Sequence, residues 1–317
     1  MTESLVVGVD AGATSTRVSV HTLDGRRVGY ARAAAGNPTA HGLARAVAAI
    51  GAALKEALDS LDGSRVAASL AGVAGHTAAM VPELAALWAA HGIPQPPVYV
   101  RDVTIAYAAG SAEPDGSLLL SGTGAVATRV AGFEVARIAD GLGWLLGDQG
   151  SGFWIGREAA KAVIASLDRG RLPVPGDLLT DLVLTHVLGQ ERPETPRAIA
   201  DRVVRVAQAD HMGLAALAAP VSKAAAAGDP VAEGIVRRAA GHLVATLRRV
   251  HVSGPVVLAG SVLTNDGPVR DAVTELLAGE RVATARDGAG AAAWLAARPL
   301  LTEPEAASRH AAFTTAP

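Results

Sequence analysis

The sequence predicts an α/β protein of two domains, each with elements in the order βββαβαβα, facing one another across a central cleft. The second domain carries a helical insertion. Three observations predict it. The element order runs once through residues 6–110 and again through residues 117–297. Each pass opens with a small-residue hairpin loop between its first two strands. The first is Asp10-Ala11-Gly12-Ala13-Thr14 and the second Ser121-Gly122-Thr123-Gly124. Finally, 317 residues suffice for two cores of ordinary size.

In the first half, Val6-Val7-Gly8-Val9 is an apolar run of strand formers that ends at Asp10. A turn and the hydroxyl series Thr14, Ser15, Thr16 follow, and then an alternating strand over residues 17–21. Asp24-Gly25 marks a hairpin turn before a third strand over residues 27–33. Gly36-Asn37-Pro38 is a turn, and residues 39–61 have the apolar face and helix formers of one long helix. A strand over 65–73, a helix over 81–90, a short strand over 97–100 and a helix over 104–110 complete the half.

In the second half, residues 117–120, 125–130 and 133–138 read as strands, and residues 151–167 as a helix. A mainly helical section then runs to about residue 250. A strand over 255–259, a helix over 268–277, a short strand over 281–284 and a helix over 289–297 close the repeat. The expected domains are residues 1–112 and 113–298, with the insertion at about 165–250. The last helix is a candidate to pack back on the first domain. Residues 299–317 are rich in Ala, Thr and Pro and read as a fraying tail.

Composition narrows the function. A formal net charge of −2 implies no long basic surface for nucleic acid. No apolar run is long enough to span a bilayer, and MTESLVV lacks the basic start of a signal peptide. A cytoplasmic location is expected. Cysteine is absent, which excludes disulfides, thiolate zinc sites and cysteine-ligated clusters. The nine histidines show no metal-ligand spacing. His41 and His76 fall near the expected cleft without an assigned role.

Four segments fall at strand ends lining that cleft, where α/β sheets bind ligands. At the first, Gly12 and its neighbours let backbone N–H groups approach an anion. A carboxylate there repels phosphate unless a cation intervenes, so Asp10 points to magnesium held through water beside polyphosphate. The alternative is a tight turn with a solvated Asp. The loop is neither a dinucleotide fingerprint nor a P-loop, because G-x-G-x-x-G and Gly-Lys-Ser/Thr are both missing. In the second segment, Gly122, Thr123 and Gly124 offer N–H groups and a hydroxyl to phosphate. In the third, a strand ending Gly260-Ser261 lets a flat base approach backbone. The fourth is Asp102, a carboxylate placed to take a proton from a substrate hydroxyl, or else a helix N-cap. Asp148, in the glycine-rich stretch DGLGWLLGDQGSGFWIG, is either a sugar-hydroxyl ligand or the cap of the helix after it.

The hairpin bearing Asp10 resembles the phosphate loop of actin-like ATPases and sugar kinases. VVGVDAGATSTRV, GNP, SLAGVAG, VRD, LLLSGTG, GWLLGDQGSGFWIGREA, VVLAGSV and DGAGAAAWLA occur in the order and spacing of one family. Together they resemble the N-acetylglucosamine kinase branch of the BadF/BadG/BcrA/BcrD ATPase family, over nearly the whole chain to about residue 299. The resemblance implies two ribonuclease H-like (actin-like ATPase) domains. It matches Asp102 with the general base, and Asn37 and Asp148 with residues that hold the sugar. Thr14, Gly122, Thr123, Gly124, Gly260 and Ser261 match nucleotide-side positions. Gly12 joins this nucleotide set, and Gly124 also joins the substrate set.

Two departures stand out. The family reads Gly-Asp-Glu-Gly where this chain has Gly147-Asp148-Gln149-Gly150, and Ala125 removes a hydroxyl after the second loop. The electron-driving ATPases of the family and the zinc-containing repressor-type sugar kinases both use cysteines, which this chain lacks. The expected activity is ATP- and Mg2+-dependent phosphorylation of the 6-hydroxyl of an amino sugar, foremost N-acetylglucosamine. Glucosamine and N-acetylmuramate are the alternative substrates, and a non-catalytic sugar sensor is the alternative class. A homodimer is the expected assembly.

Overall fold

The computed structural model describes residues 4–172, 174 and 176–316. The chain forms two compact units. The first holds the residues up to Gly116, the segment Val130–Ala136 and everything from Ala283 onward. The second holds Ser117–Arg129 and Arg137–Val282.

The first unit begins with β1 (Leu5–Ala11), β2 (Thr16–Thr22) and β3 (Arg27–Ala33). Then come α1 (Pro38–His41), α2 (Leu43–Leu58), β4 (Val66–Val73), α3 (Met80–Ala90), β5 (Val98–Val100) and α4 (Asp102–Ala108). The single helix expected over 39–61 is two helices. They break at Gly42, whose φ of +84° is left-handed and favours glycine. The sheet runs β3-β2-β1-β4-β5. β1 pairs antiparallel with β2, Asp10 opposite Arg17, and parallel with β4, Asp10 opposite Gly72.

Period-two alternation divides β1 between two cores. Leu5, Val7 and Val9 join Ile50, Leu54, Leu84 and Trp88 under α2 and α3. Val6 and Gly8 turn to the opposite face. There α13 (Gly288–Ala297) lies so close that a Cβ on Gly8 would stand 2.1 Å from the Ala289 carbonyl oxygen. Ala289 to Ala297 are all buried, as a helix that is apolar all round requires.

The C-terminal segment departs from the expected fraying tail. It forms α14 (Glu303–Thr314), opened by a reciprocal Thr302–Glu305 capping box. Phe313 is fully buried and stacks on His21, their centroids 4.8 Å apart. Trp294 Nε1 donates to the Ala306 carbonyl at 2.8 Å. These contacts, with β2 through His21 and with α13 through Trp294, outweigh the weak propensity that the composition of 299–317 reflects. They also draw α13 and α14 into the first unit, so this unit is larger than residues 1–112.

The second unit is built on β6 (Gly116–Ser121), β7 (Ala125–Ala131) and β8 (Glu134–Asp140). Then follow α5 (Gly143–Leu146), α6 (Gly152–Asp168), α7 (Leu178–Leu188), α8 (Pro196–Ala209), α9 (Ala218–Ala226) and α10 (Pro230–Arg248). β9 (Val256–Ala259), α11 (Ser261–Thr264), α12 (Pro268–Leu276) and β10 (Val282–Thr284) complete it. The sheet order is β10-β9-β6-β7-β8, with β9 parallel to β6. Leu119, Ala127 and Leu258 from the sheet pack with Ile155, Val163, Leu184 and Leu243 from the helices.

Candidate active site

In the first unit, Asp10 is the penultimate residue of β1 and stands 3.5 Å from the guanidinium of Arg17, its antiparallel partner. Burial pushes the Asp10 carboxyl up to about 6. Arg17 opposes that shift, and the charges of Asp102 and Asp287 reinforce it. Asp10 therefore lies within electrostatic reach of two carboxylates from distant parts of the sequence. Gly288, the first residue of α13, explains the tight fit, because a Cβ there would meet Asp10 Oδ2 at 2.6 Å.

The loop after Asp10 is braced by backbone. Gly12 N–H donates to Ser15 O at 3.0 Å, and Gly36 N–H donates to Gly12 O at 3.1 Å. His41 Nε2 lies 3.1 Å from the Ala13 carbonyl. Thr14 is exposed beside these braces, its hydroxyl open to a ligand. The Asn37 side-chain oxygen accepts from Thr39 N–H and Ala40 N–H, capping α1. Its amide nitrogen remains to donate.

Asp102 is the first residue of α4, and Arg101 takes the cap position with no side-chain bond. Asp102 is therefore not the N-cap. Burial raises its carboxyl, against the N–H groups of Val103 and Asp102 itself and the Arg101 charge. Asp287 is raised by burial too, although Arg27 lies 2.9 Å away and Gly290 N–H donates to it.

In the second unit, the loop after β6 meets the loop after β9. Gly260 has φ +80°, and a Cβ on it would strike Ser121 O at 2.3 Å. The Ser121 hydroxyl donates to Gly150 O at 3.0 Å. Gly152 N–H donates to Gly122 O at 2.7 Å, and Phe153 N–H to Thr123 O at 3.3 Å. The first turn of α6 thus grips the loop and leaves the Thr123 side chain exposed. A cavity of about 390 Å³ opens beside Ser261, lined also by Ile155, Ala215, Ala219, Ser222 and Asn265.

Asp148 lies against the same loop, since a Cβ on Gly124 would stand 2.8 Å from its Oδ2. Its carboxylate accepts from the backbone of Ala125 and Gly143, yet burial, with the Asp140 charge, raises it overall. It does not cap α6. Ser151 does so, accepting from Trp154 N–H at 3.1 Å. Gln149, where the resemblance leads one to expect Glu, is partly exposed.

Two glycine hairpins at the ends of parallel strands, with a strand-end carboxylate in one half, are thus in place. The sequence model of one family matches residues 7–297. The chain belongs to the BadF/BadG/BcrA/BcrD ATPase family. No curated protein matches it. Among solved structures it is similar to a protein named "Putative N-acetylglucosamine Kinase" from Chromobacterium violaceum. Identity is 24%, coverage is 93% of this chain and 99% of that one, and the TM-score is 0.71. A protein given the same name from Porphyromonas gingivalis is 19% identical over 98% of each chain, with a TM-score of 0.56. A ROK family glucokinase from Streptomyces griseus, in complex with glucose and AMPPNP, is 21% identical. It covers 94% of this chain and 99% of that one, with a TM-score of 0.56. At these identities the likeness gives the fold alone, a two-domain actin-like architecture.

Family membership covers all the site segments, and the structure adds residues that sequence reasoning passed over. Asp287 and Gly288 belong to the DGAG sequence, quoted above without a role, and they reach Asp10. His41, also without a role, holds the first loop. Ala215, Ser222 and Asn265 line the cavity beside Ser261. Asp140 holds the Asp148 backbone. Among the described residues no three His, Asp or Glu side chains form a metal cage. No helix among them is long and apolar enough to cross a membrane.

Proposed function

We propose that this chain is an ATP-dependent kinase that transfers the γ-phosphoryl group to the 6-hydroxyl of an amino sugar, foremost N-acetylglucosamine. The observation that carries the reading is Asp102. It is a half-buried carboxylate in the first turn of α4, of raised basicity, within electrostatic reach of Asp10. Asp102 accepts the hydroxyl proton as the sugar oxygen attacks phosphorus. A carboxylate made more basic by burial is a better acceptor.

Asp10 fits a divalent cation. It is a hard oxygen donor whose ionisation is resisted by burial first and then by two other carboxylates, and a cation relieves both. One carboxylate, water and substrate phosphates are the donor set magnesium prefers to an all-protein cage. When bound, magnesium neutralises charge on the transferring phosphates. Thr14 and Thr123 offer hydroxyls to the phosphates, and Gly12, Gly122 and Gly124 let the backbone approach them closely, the N–H groups of Gly12 and Gly122 being held by the Ser15 and Gly124 carbonyls. Ser261 lines the cavity that would take the nucleoside, and Gly260 makes the turn just before it. Asn37 donates from its free amide, and Asp148 accepts from sugar hydroxyls.

The test is ADP release by purified protein with ATP, magnesium and a panel of hexoses and amino sugars. Release that depends on N-acetylglucosamine, with phosphate on O6 by NMR, is expected. Sugar binding without ADP release in every case supports the sensor reading instead. A preference for glucosamine or N-acetylmuramate transfers the assignment to that sugar.

A further inference from the structure

The segment 140–149 is closed on itself by one side chain. Asp140, at the end of β8, accepts from the N–H of Asp148 with Oδ1 at 2.8 Å. It accepts from the N–H of Gln149 with Oδ2 at 3.0 Å. Both oxygens of one carboxylate are spent on two successive amides. Each such bond is charge-assisted and directional. Between those amides the chain is in an unfavourable conformation, since Asp148 has φ +54°, in the left-handed region that L-residues avoid. The clamp keeps it there.

The clamp needs room. A Cβ on Gly147 would stand 2.2 Å from Asp140 Oδ1, so glycine is required at the residue before Asp148. On its other side Asp148 is wedged against Gly124 and accepts from Ala125 and Gly143. The aim of the Asp148 carboxylate is thus fixed from two directions, by the second hairpin loop and by Asp140. Placing one carboxylate beside another carries a cost, because the Asp140 charge disfavours ionised Asp148. A segment that merely needed to be closed would avoid that repulsion.

We propose that Asp140 is a positioning residue for sugar binding: by gripping the backbone on both sides of Asp148, it sets the direction of the carboxylate that receives the sugar hydroxyls. This rests on the sugar-binding role given to Asp148 above. Asp140 itself touches no substrate.

The experiment compares Asp140→Asn with Asp148→Asn in the full-length protein. Titration with N-acetylglucosamine and, separately, with ATP gives both affinities, and steady-state kinetics gives kcat. An Asn at 140 leaves one acceptor and turns an N–H donor toward an N–H donor. The sugar Kd and KM are expected to rise about tenfold or more. The ATP Kd and the kcat at saturating sugar should stay within about twofold, a split that general loosening does not produce. Gly147→Ala pushes on the same oxygen from the other side and should show the same split. If Asp148→Asn weakens sugar binding while Asp140→Asn does not, this inference falls and the sugar reading stands. If neither changes sugar affinity, the role of Asp148 falls and takes the inference with it. Loss of ATP affinity or of folding in both Asp140→Asn and Gly147→Ala also overturns it, since the clamp is then scaffold only.

Discussion

The two hairpin loops occupy equivalent places in the two halves, yet they are built in opposite ways. The first follows a carboxylate, Asp10, held at the edge of its ionisation range by burial and by two other acids. At the matching place the second has Ser121, neutral, buried and spent on the Gly150 carbonyl. The first loop is tied to its surroundings partly by a side chain, His41. The second is tied by backbone bonds to the first turn of α6. One fold unit, used twice, has put its charge into one copy and its rigid neutral donors into the other. On the reading proposed here, the first copy runs the proton and the metal while the second holds the nucleotide and aims Asp148. Substitutions on either side should break that division, the costliest of them at the proton acceptor.

Asp102→Asn should separate chemistry from structure. Loss of a general base costs about 10²–10⁴ in rate. Asn keeps the size and one acceptor, so melting temperature and the affinities for ATP and sugar should be near parental. A kcat above about a tenth of parental would move proton acceptance to another group.

Phe313→Ala tests whether the charged copy depends on the C-terminal helix. Phe313 is fully buried against His21 and lies under α13, whose first residue meets Asp10. Truncating a buried Phe costs roughly 3–5 kcal/mol. The loss should appear in chemical denaturation, with hydrogen exchange rising at β1 and α13 and little changed at β6 and β9. Equal exchange gains in both sheets would show that the two copies are not separately stabilised.

Asp10→Asn should exchange activity for stability. The free-protein carboxyl is raised from 3.8 to about 6, so the folded state binds a proton more readily than the unfolded state. Stability from that proton is full below about pH 4 and is lost as pH rises through 6. At pH 8 the ionised group then costs on the order of 2–3 kcal/mol in the ligand-free protein. Asp10→Asn should melt higher than the parent at pH 8 and about equally at pH 4, while losing most transfer activity. Magnesium-nucleotide should raise the parent's melting temperature and have a much smaller effect on the variant's. A variant that melts lower at pH 8 would mean Asp10 is satisfied in the free protein.

The placement of the residues behind this proposed division was largely legible in the sequence. Residue type within a turn was enough for Asp10, for the glycine pairs and for Asp102, because the strand before each one could be read from its Val and Leu run. What escaped was whatever depended on a partner far along the chain. Asp287 meets Arg27 across 260 residues, and Gly288 meets Asp10 across still more. Nothing in DGAG alone names those partners. Other omissions had local signals. Thr302-x-x-Glu305 is a capping box, and reading it would have replaced the fraying tail with a helix. Gly8 interrupts a Val run where the backbone of α13 presses directly on β1. Gly147 before a left-handed Asp148 marks the clamp of Asp140.

The smallest expected effect is the one that most directly contrasts the two loops. His41 Nε2 and the Ala13 carbonyl are 3.1 Å apart at an exposed position. Water can replace such a bond, so removing it should cost about 0.5–1.5 kcal/mol at most. That cost falls on the ordering of the loop that receives phosphate. His41→Ala should therefore raise the KM for ATP about two- to tenfold and leave the sugar KM and kcat nearly unchanged. The second loop offers no exposed equivalent: its one side-chain tie among the described residues, the Ser121 hydroxyl to the Gly150 carbonyl, is buried, and the bonds from Gly152 and Phe153 are main-chain bonds that no side-chain truncation removes. If His41→Ala leaves the ATP KM at the parental value, the first loop is held by backbone alone. Its Gly12–Ser15 and Gly36–Gly12 bonds then suffice, and the two loops differ in charge but not in how they are anchored.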